Sequence, residues 1–169
     1  MKRKGFSKLL CGVFAPLLMV LLIVLIFSVP VSATVNSSNI GYALYTSATS
    51  DDVWENEATI TTNAQPGMVA DEPVYSPQSV IINRYDIGSI LTSGNYAHGM
   101  VAEKTLSLVP NLATNEGSIV TTGFTSHGMV ASNDSYSENT GTGTILTDGS
   151  YSFGMFATGD SWAYNFNDV

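Results

Sequence analysis

The chain has 169 residues, about the length of one domain, and carries a net charge of −8. Four of its six basic residues lie within residues 1–8. The rest of the chain contains two basic residues, Arg84 and Lys104, and 14 acidic residues, which gives it a net charge of −12. A surface this acidic repels phosphate groups, which excludes nucleic acid as a partner.

The first segment, residues 1–33, has the pattern of a cleavable signal peptide. A basic region, residues 1–8, is followed by an apolar run to Val29, and Pro30 with the small residues after it provides a helix break and a cleavage site. We predict cleavage after Ala33 and an exported protein, extracellular or on the cell surface. An apolar run of about 20 residues is also long enough to span a bilayer, so an uncleaved membrane anchor is the alternative.

The exported chain would begin at Thr34 and would contain no cysteine, because Cys11 is the only one in the sequence. It would therefore have no disulfide, although export leads to an oxidising compartment. Its stability must come from side-chain packing and backbone pairing.

A repeated segment fills most of residues 58–157. Its four copies begin at residues 58, 88, 117 and 143, and the second and third copies, "GSILTSGNYAHGMVA" and "GSIVTTGFTSHGMVA", are nearly identical. Residues 34–57 form a leading partial repeat, in which "NIGYALYTS" weakly matches the second half of the unit. The shared apolar residues are Ile60, Ile90, Ile119 and Ile145, and Met68, Met100, Met129 and Met155. Recurrence every 26 to 30 residues predicts one supersecondary unit stacked on itself.

Each unit has the pattern of two short β-strands. Ile90 and Thr92 fall on one face of an extended segment and Leu91 falls on the other, since side chains alternate along a strand. No sustained helical period follows Ala33, so we predict an all-β fold. A glycine separates the two strands in the second, third and fourth units, at Gly94, Gly123 and Gly149.

Strands this short bury a face only when successive units stack. We therefore predict a parallel β-helix of about four rungs, right-handed, with the isoleucines and methionines in inward ladders. The segments between the repeats, such as residues 132–142, are polar and variable in length, and we predict that they are loops. An antiparallel β-sandwich, with each unit as a hairpin, is the alternative.

The unit G-[ST]-I-x-T-x-G-x-x-x-x-G-M-x-A occurs in full from Gly88, Gly117 and Gly143, and it resembles the passenger repeats of bacterial autotransporter adhesins. The resemblance implies a non-catalytic structural or adhesive module on the cell surface, associated with the outer membrane, whose partner is a host protein or a glycan. The candidate contact residues are the aromatic side chains of Tyr96, Phe124 and Tyr151.

Autotransporters end in a membrane β-barrel, whereas this chain stops at Val169. We therefore expect residues 158–169, with Trp162, Tyr164 and Phe166, to be the truncated end of a longer β-helix. An uncapped final rung exposes backbone groups and apolar side chains, which predicts end-to-end self-association or continuation into further rungs.

Two histidines occupy the same position of the repeat. His98 and His127 are one rung apart, and a stacked pair of imidazoles is able to share a metal. The next unit has Phe153 at this position, so we predict a structural column and no metal or cofactor. The methionines likewise form a core ladder.

The acidic residues Glu116, Asp134, Glu138, Asp148 and Asp160 fall in predicted turns or loops, where acidic side chains favour solubility and local hydrogen bonds. No nucleophile, zinc or phosphate-binding motif is present, and we predict no catalytic residue. A carbohydrate-active β-helix enzyme, with two carboxylates meeting in one groove, is the alternative function.

Overall fold

The computed structural model describes residues 33–41, 43–45, 53–71, 78–105 and 109–167. The predicted signal peptide, and the membrane anchor that is its alternative, lie outside these residues, except that Ala33 begins the first strand. Within the described residues, no helix is long and apolar enough to cross a membrane.

Fifteen strands, and no helix, occur in the described part of the chain, and the strands form three sheets. Sheet 1 contains β1 (Ala33–Asn36), β3 (Val53–Asn56), β6 (Val80–Asn83), β9 (Leu112–Asn115), β12 (Tyr136–Asn139) and β15 (Trp162–Asn165). Sheet 2 contains β4 (Thr59–Asn63), β7 (Ser89–Ser93), β10 (Ser118–Thr122) and β13 (Thr144–Asp148). Sheet 3 contains β2 (Leu44–Tyr45), β5 (Met68–Asp71), β8 (Met100–Glu103), β11 (Met129–Ser132) and β14 (Met155–Thr158).

The chain visits the three sheets in turn, and one strand from each sheet makes one rung. The four complete rungs are β3 to β5, β6 to β8, β9 to β11 and β12 to β14. A partial rung precedes them. It consists of β1, β2 and, between these two strands in the chain, Ile40, which forms a parallel β-bridge with Ile60. Strand β15 follows the last complete rung. Because every strand pairing is parallel, the parallel β-helix is confirmed and the antiparallel sandwich is wrong. Its right-handed sense stays a prediction.

The interior is built from columns of side chains that lie in register from rung to rung. The isoleucines at 60, 90, 119 and 145 form one column in sheet 2, and the methionines at 68, 100, 129 and 155 form another in sheet 3. The first three members of each column are completely buried. Ile145 and Met155 are only partly buried, because the last complete rung has a neighbour on one side of sheets 2 and 3.

The third strand of each rung corrects the sequence-based interpretation. Residues 132–142 were predicted to be a loop, yet they contain β12, and each complete rung has three strands where the repeat predicts two. The leading segment 34–57 likewise includes β3, which belongs to the first complete rung. Sheet 1 was not detected in part because one of its two inward columns changes residue from rung to rung, for example Ile81, Ala113 and Ser137.

A ladder of asparagines runs through sheet 1 and was not predicted. The last residue of every sheet 1 strand is asparagine, and each amide Nδ2 donates to the Oδ1 of the next one at 2.8 to 3.0 Å. An amide is suited to such a column because it both donates and accepts. All five bonds point the same way along the axis. The residues are Asn36, Asn56, Asn83, Asn115, Asn139 and Asn165.

The connections from sheet 3 to sheet 1 differ in length. Eight residues separate β5 from β6 and β8 from β9, whereas three separate β11 from β12 and β14 from β15. The strands on either side keep the same register. The buried columns, and not these connections, therefore set the register of the rungs.

Candidate functional site

Three exposed aromatic side chains lie together where the chain turns from sheet 2 to sheet 3. Tyr96, Phe124 and Tyr151 are 61%, 43% and 75% exposed. The Phe124 ring centroid is 6.1 Å from that of Tyr96 and 5.5 Å from that of Tyr151, both in edge-to-face geometry. The structure thus places the three candidate contact residues on one continuous surface, which we call the aromatic ridge.

The turn that carries the ridge is held by buried groups. The inward hydroxyl of Thr92 donates to the Ala97 carbonyl across the turn at 2.6 Å, and the same bond recurs one rung later. Gly123 has a φ of 129°, and a Cβ there would collide with the Gly94 carbonyl oxygen of the rung before. Only glycine allows the two turns to stack this closely.

Two ridge residues occupy strained backbone positions. Tyr96 and Tyr151 have φ values of 60° and 59°, and Thr125 at the same position of the intervening rung has a φ of 54°. Bulky and β-branched residues rarely adopt this left-handed conformation, which glycine and asparagine adopt at lower cost. Phe124 lies one residue earlier in its turn, yet its ring still reaches both tyrosines.

The two histidines form a stacked column on the outer side of sheet 3. Their ring centroids are 5.0 Å apart and the rings are nearly parallel, and Phe153 and Phe156 stack on His127 from the next rung. The Nδ1 of His98 accepts a hydrogen bond from the His127 backbone N–H at 3.0 Å, and the Nδ1 of His127 accepts one from Phe153 N–H at 3.0 Å.

These contacts keep the imidazoles neutral. Burial lowers the pKa of His98 to about 4, with a further contribution from neighbouring His127, and burial also lowers the pKa of His127. Because each Nδ1 accepts a hydrogen bond from a backbone N–H, the proton of each neutral ring lies on Nε2. Among the described residues, no group of three or more His, Cys, Asp or Glu side chains is arranged to hold a metal.

A pocket of about 330 Å³ lies at the corner between sheets 1 and 2. It is bounded by the turn around Asp86, which is longer in the second rung than in the third, and by the first residues of β7, β10 and β13 in sheet 2. Arg84 hydrogen-bonds Glu55 through Nε at 3.1 Å and pairs with Glu116 at 3.5 Å, which fixes the base of this turn. The lining residues include Tyr85, Asp86, Ile87, Ser89, Glu116, Ser118 and Thr144.

The acidic residues are distributed differently from the prediction. Glu138 lies inside β12 and Asp148 ends β13, so these two are in strands and not in loops. Asp134 pairs with Lys104 at 2.7 Å. Sequence reasoning did not single out Tyr85 and Asp86, which carry no repeated pattern because the turn between sheets 1 and 2 differs in length from rung to rung.

Comparison with known proteins supports the β-helix independently. A family model described as the BigA third pectate lyase-like domain matches residues 28–166, and BigA is a bacterial surface protein. Neither the curated proteins nor the solved structures yield a match to this chain. The family match covers all three sheets, the asparagine ladder and the aromatic ridge. The chain therefore belongs to the family of the BigA third pectate lyase-like domain, a β-helix domain of a bacterial surface protein.

Proposed function

We propose that this chain is an exported, non-catalytic adhesive module of autotransporter type, which contacts a host protein or glycan through the aromatic ridge. The observation that carries the proposal is the ridge itself. Its three rings are exposed on the turns and lie outside the buried core. Aromatic side chains at a surface supply large contact areas and are enriched among the residues that dominate binding energy.

The backbone strain beneath the ridge supports the same function. Holding a bulky residue in the left-handed region costs about 1 to 2 kcal/mol. The turn would be more stable with glycine or asparagine at Tyr96 and Tyr151, so a structural role alone does not account for tyrosine there. A binding role does, because the conformation holds the two rings outward on either side of Phe124 in the intervening rung.

The acidic surface indicates what the partner is not. Arg84 and Lys104 are the only Lys or Arg residues after residue 8, and both are paired with carboxylates. The ridge would therefore recognise its partner by apolar contact and hydrogen bonding. A polyanion would be repelled.

Adhesion of the exported chain to cultured host cells tests the proposal. A triple variant with Tyr96→Ser, Phe124→Ser and Tyr151→Ser should bind more than about tenfold more weakly than the wild type, since three central aromatic contacts are lost. Tyr85→Ser removes an equally exposed ring from another corner and should bind normally. Unchanged adhesion of the folded triple variant would refute the ridge as the binding site, and periodate or protease treatment of the cells separates glycan from protein partners.

The corner pocket favours a second candidate, a carbohydrate-active β-helix enzyme. Asp86 and Glu116 both line this pocket, and two carboxyl groups are the usual acid and base or nucleophile of sugar cleavage. Incubation with oligosaccharides would release reducing ends from the wild type but not from Asp86→Asn or Glu116→Gln. Absence of any product across neutral and acidic oligosaccharides would leave adhesion as the function.

A further inference from the structure

The corner pocket exists because the turns between sheets 1 and 2 differ in length. Residues 84–88 form the turn of the second complete rung and residues 140–143 form that of the fourth, whereas the third rung turns with residues 116–117 alone. The short turn is therefore set back between two longer ones, and all three turns line the pocket. A Cβ at Gly117 would collide with the Gly88 carbonyl oxygen, so only glycine keeps the floor of the recess this low.

The longer turn of the second rung gives the pocket an apolar side. Tyr85 and Ile87 both line the recess and are 53% and 55% exposed. Side chains that stay this exposed are available to pack against the apolar face of a ligand. The turn that carries them is fixed at its base, because Arg84 pairs with Glu116 at 3.5 Å and its carbonyl accepts from the Gly88 N–H at 3.0 Å.

A row of hydroxyl groups forms another side of the pocket. Ser89, Ser118 and Thr144 are the first residues of β7, β10 and β13 and lie in register on neighbouring strands, which are about 4.8 Å apart. All three line the pocket, and none of their hydroxyl groups has a hydrogen-bond partner among the described residues. A hydroxyl group both donates and accepts, so the row is able to bind ligand groups of either kind.

The charged groups that line the pocket are carboxylates. Asp86 has no ion pair within the described part of the chain, and Glu116 pairs with Arg84. A carboxylate accepts hydrogen bonds and does not donate them, so these two residues require donor groups on a ligand. The chain after residue 8 also carries a net charge of −12, which repels acidic ligands.

We propose that the corner pocket binds a neutral saccharide, as a monosaccharide or disaccharide unit. A pyranose ring has apolar C–H faces, which would pack against Tyr85 and Ile87, and a rim of hydroxyl groups, which would donate to the carboxylates and exchange hydrogen bonds with the hydroxyl row. The volume of about 330 Å³ lies at the lower end of the range for small-molecule sites, about 300 to 1,000 Å³, which suits a ligand of this size.

This site is separate from the aromatic ridge. The pocket adjoins the first residues of the sheet 2 strands, whereas the ridge lies on the turns that follow their last residues. Binding at the pocket also does not require that the sugar is cleaved, so it goes beyond both functions proposed above. It therefore stands or falls on its own measurements.

Calorimetric titration of the exported chain tests the proposal. The probes are neutral oligomers of glucose, galactose, mannose and N-acetylglucosamine, with oligomers of uronic acids as the acidic set. The wild type should bind a member of the neutral set and none of the acidic set. Tyr85→Ser should weaken this binding more than about tenfold, because the apolar platform is lost. The matched control is Tyr96→Ser, which removes a ring of similar exposure from the ridge and should bind as the wild type does.

A second pair of variants tests the hydroxyl row. Thr144→Val removes one hydroxyl group and keeps the branched shape of the side chain, so it should weaken binding about two- to tenfold, the effect of one lost hydrogen bond. Thr59→Val is its control, since Thr59 lies in the same column beside Ser89 but outside the pocket. Far-ultraviolet circular dichroism establishes that each variant is folded, and the two variants alter different rungs, so either one alone tests the site.

Three results would overturn the proposal: a wild type that binds no neutral probe, folded Tyr85→Ser and Thr144→Val variants that bind as tightly as the wild type, or tighter binding of the acidic set. The adhesion proposal fails separately. The triple ridge variant should lose adhesion to cells and keep saccharide binding, whereas Tyr85→Ser should lose saccharide binding and keep adhesion. Release of reducing ends from a bound probe would support the site and would add cleavage to it.

Discussion

Removing one asparagine from the middle of the ladder should destabilise the β-helix far more than removing the last one. Asn115 is completely buried, accepts from Asn83 at 2.9 Å and donates to Asn139 at 2.8 Å. Asn115→Ala breaks both bonds. Asn165 is exposed and makes one ladder bond, in which it accepts from Asn139 at 3.0 Å.

The magnitudes follow from the partners that are left behind. Two lost hydrogen bonds cost about 2 kcal/mol in net terms, and the buried Oδ1 of Asn139, deprived of its ladder donor, adds about 1 to 3 kcal/mol. We expect Asn115→Ala to lower the free energy of unfolding by about 3 to 5 kcal/mol. Asn165→Ala should cost about 1 kcal/mol, since the Nδ2 of Asn139 keeps its bond to the Gly143 carbonyl at 3.0 Å.

Urea unfolding followed by circular dichroism measures both values. Thr114→Ala, next to Asn115 but outward, is the control and should change the free energy of unfolding by less than about 0.5 kcal/mol. Equal losses for Asn115→Ala and Asn165→Ala would show that the ladder does not contribute as a chain of buried bonds, and the reasoning would fail.

Three further predictions concern the core, the histidine column and the export signal. Ile119→Ala should cost about 2 to 5 kcal/mol and Ile145→Ala clearly less, because Ile119 is completely buried and Ile145 only partly; equal costs in urea unfolding would contradict this burial gradient. Since the pKa of His98 is lowered to about 4 from 6.5, the unfolded chain binds a proton that the folded chain does not, so stability is fully present above pH 6.5 and falls as the pH drops toward 4. His98→Phe should therefore unfold with a shallower pH dependence than the wild type. N-terminal sequencing of the exported protein should begin at Thr34, whereas a retained Met1 in the membrane fraction would identify an anchor.

The recurrence of identical residues made sheets 2 and 3 predictable. Ile90 and Ile119, or Met100 and Met129, repeat at nearly constant spacing because each column selects one residue shape. Sheet 1 has a constant residue too, its asparagine, but the distance from that residue to the next column isoleucine varies, from four residues after Asn115 to seven after Asn83. Because the turn between sheets 1 and 2 varies in length, the asparagine column is not evident in the sequence, whereas the pairing of the strands shows it directly.

The candidate site was predictable in its residue types and not in its contacts. Tyr96, Phe124 and Tyr151 are recognisable as aromatic residues in turns, but Phe124 occupies a different position of the repeat, and only the structure shows that its ring meets the other two. The column of His98 and His127 was evident from spacing. Each Nδ1 accepts a hydrogen bond from a backbone N–H, and this bond determines the tautomer. The bond depends on the rotation of the ring, which cannot be read from the spacing of the histidines.

Because the connections between sheets 3 and 1 differ in length, we expect this fold to tolerate insertions there. A link of three residues and a link of eight residues join the same pair of sheets without shifting a column. New segments introduced at Asn133, the exposed residue of the short link 133–135, would face solvent, and their main cost would be the entropy of a longer loop, which grows slowly with length. Such corners allow surface properties to diversify quickly while the interior stays unchanged, and they are the natural positions at which to graft a peptide for display.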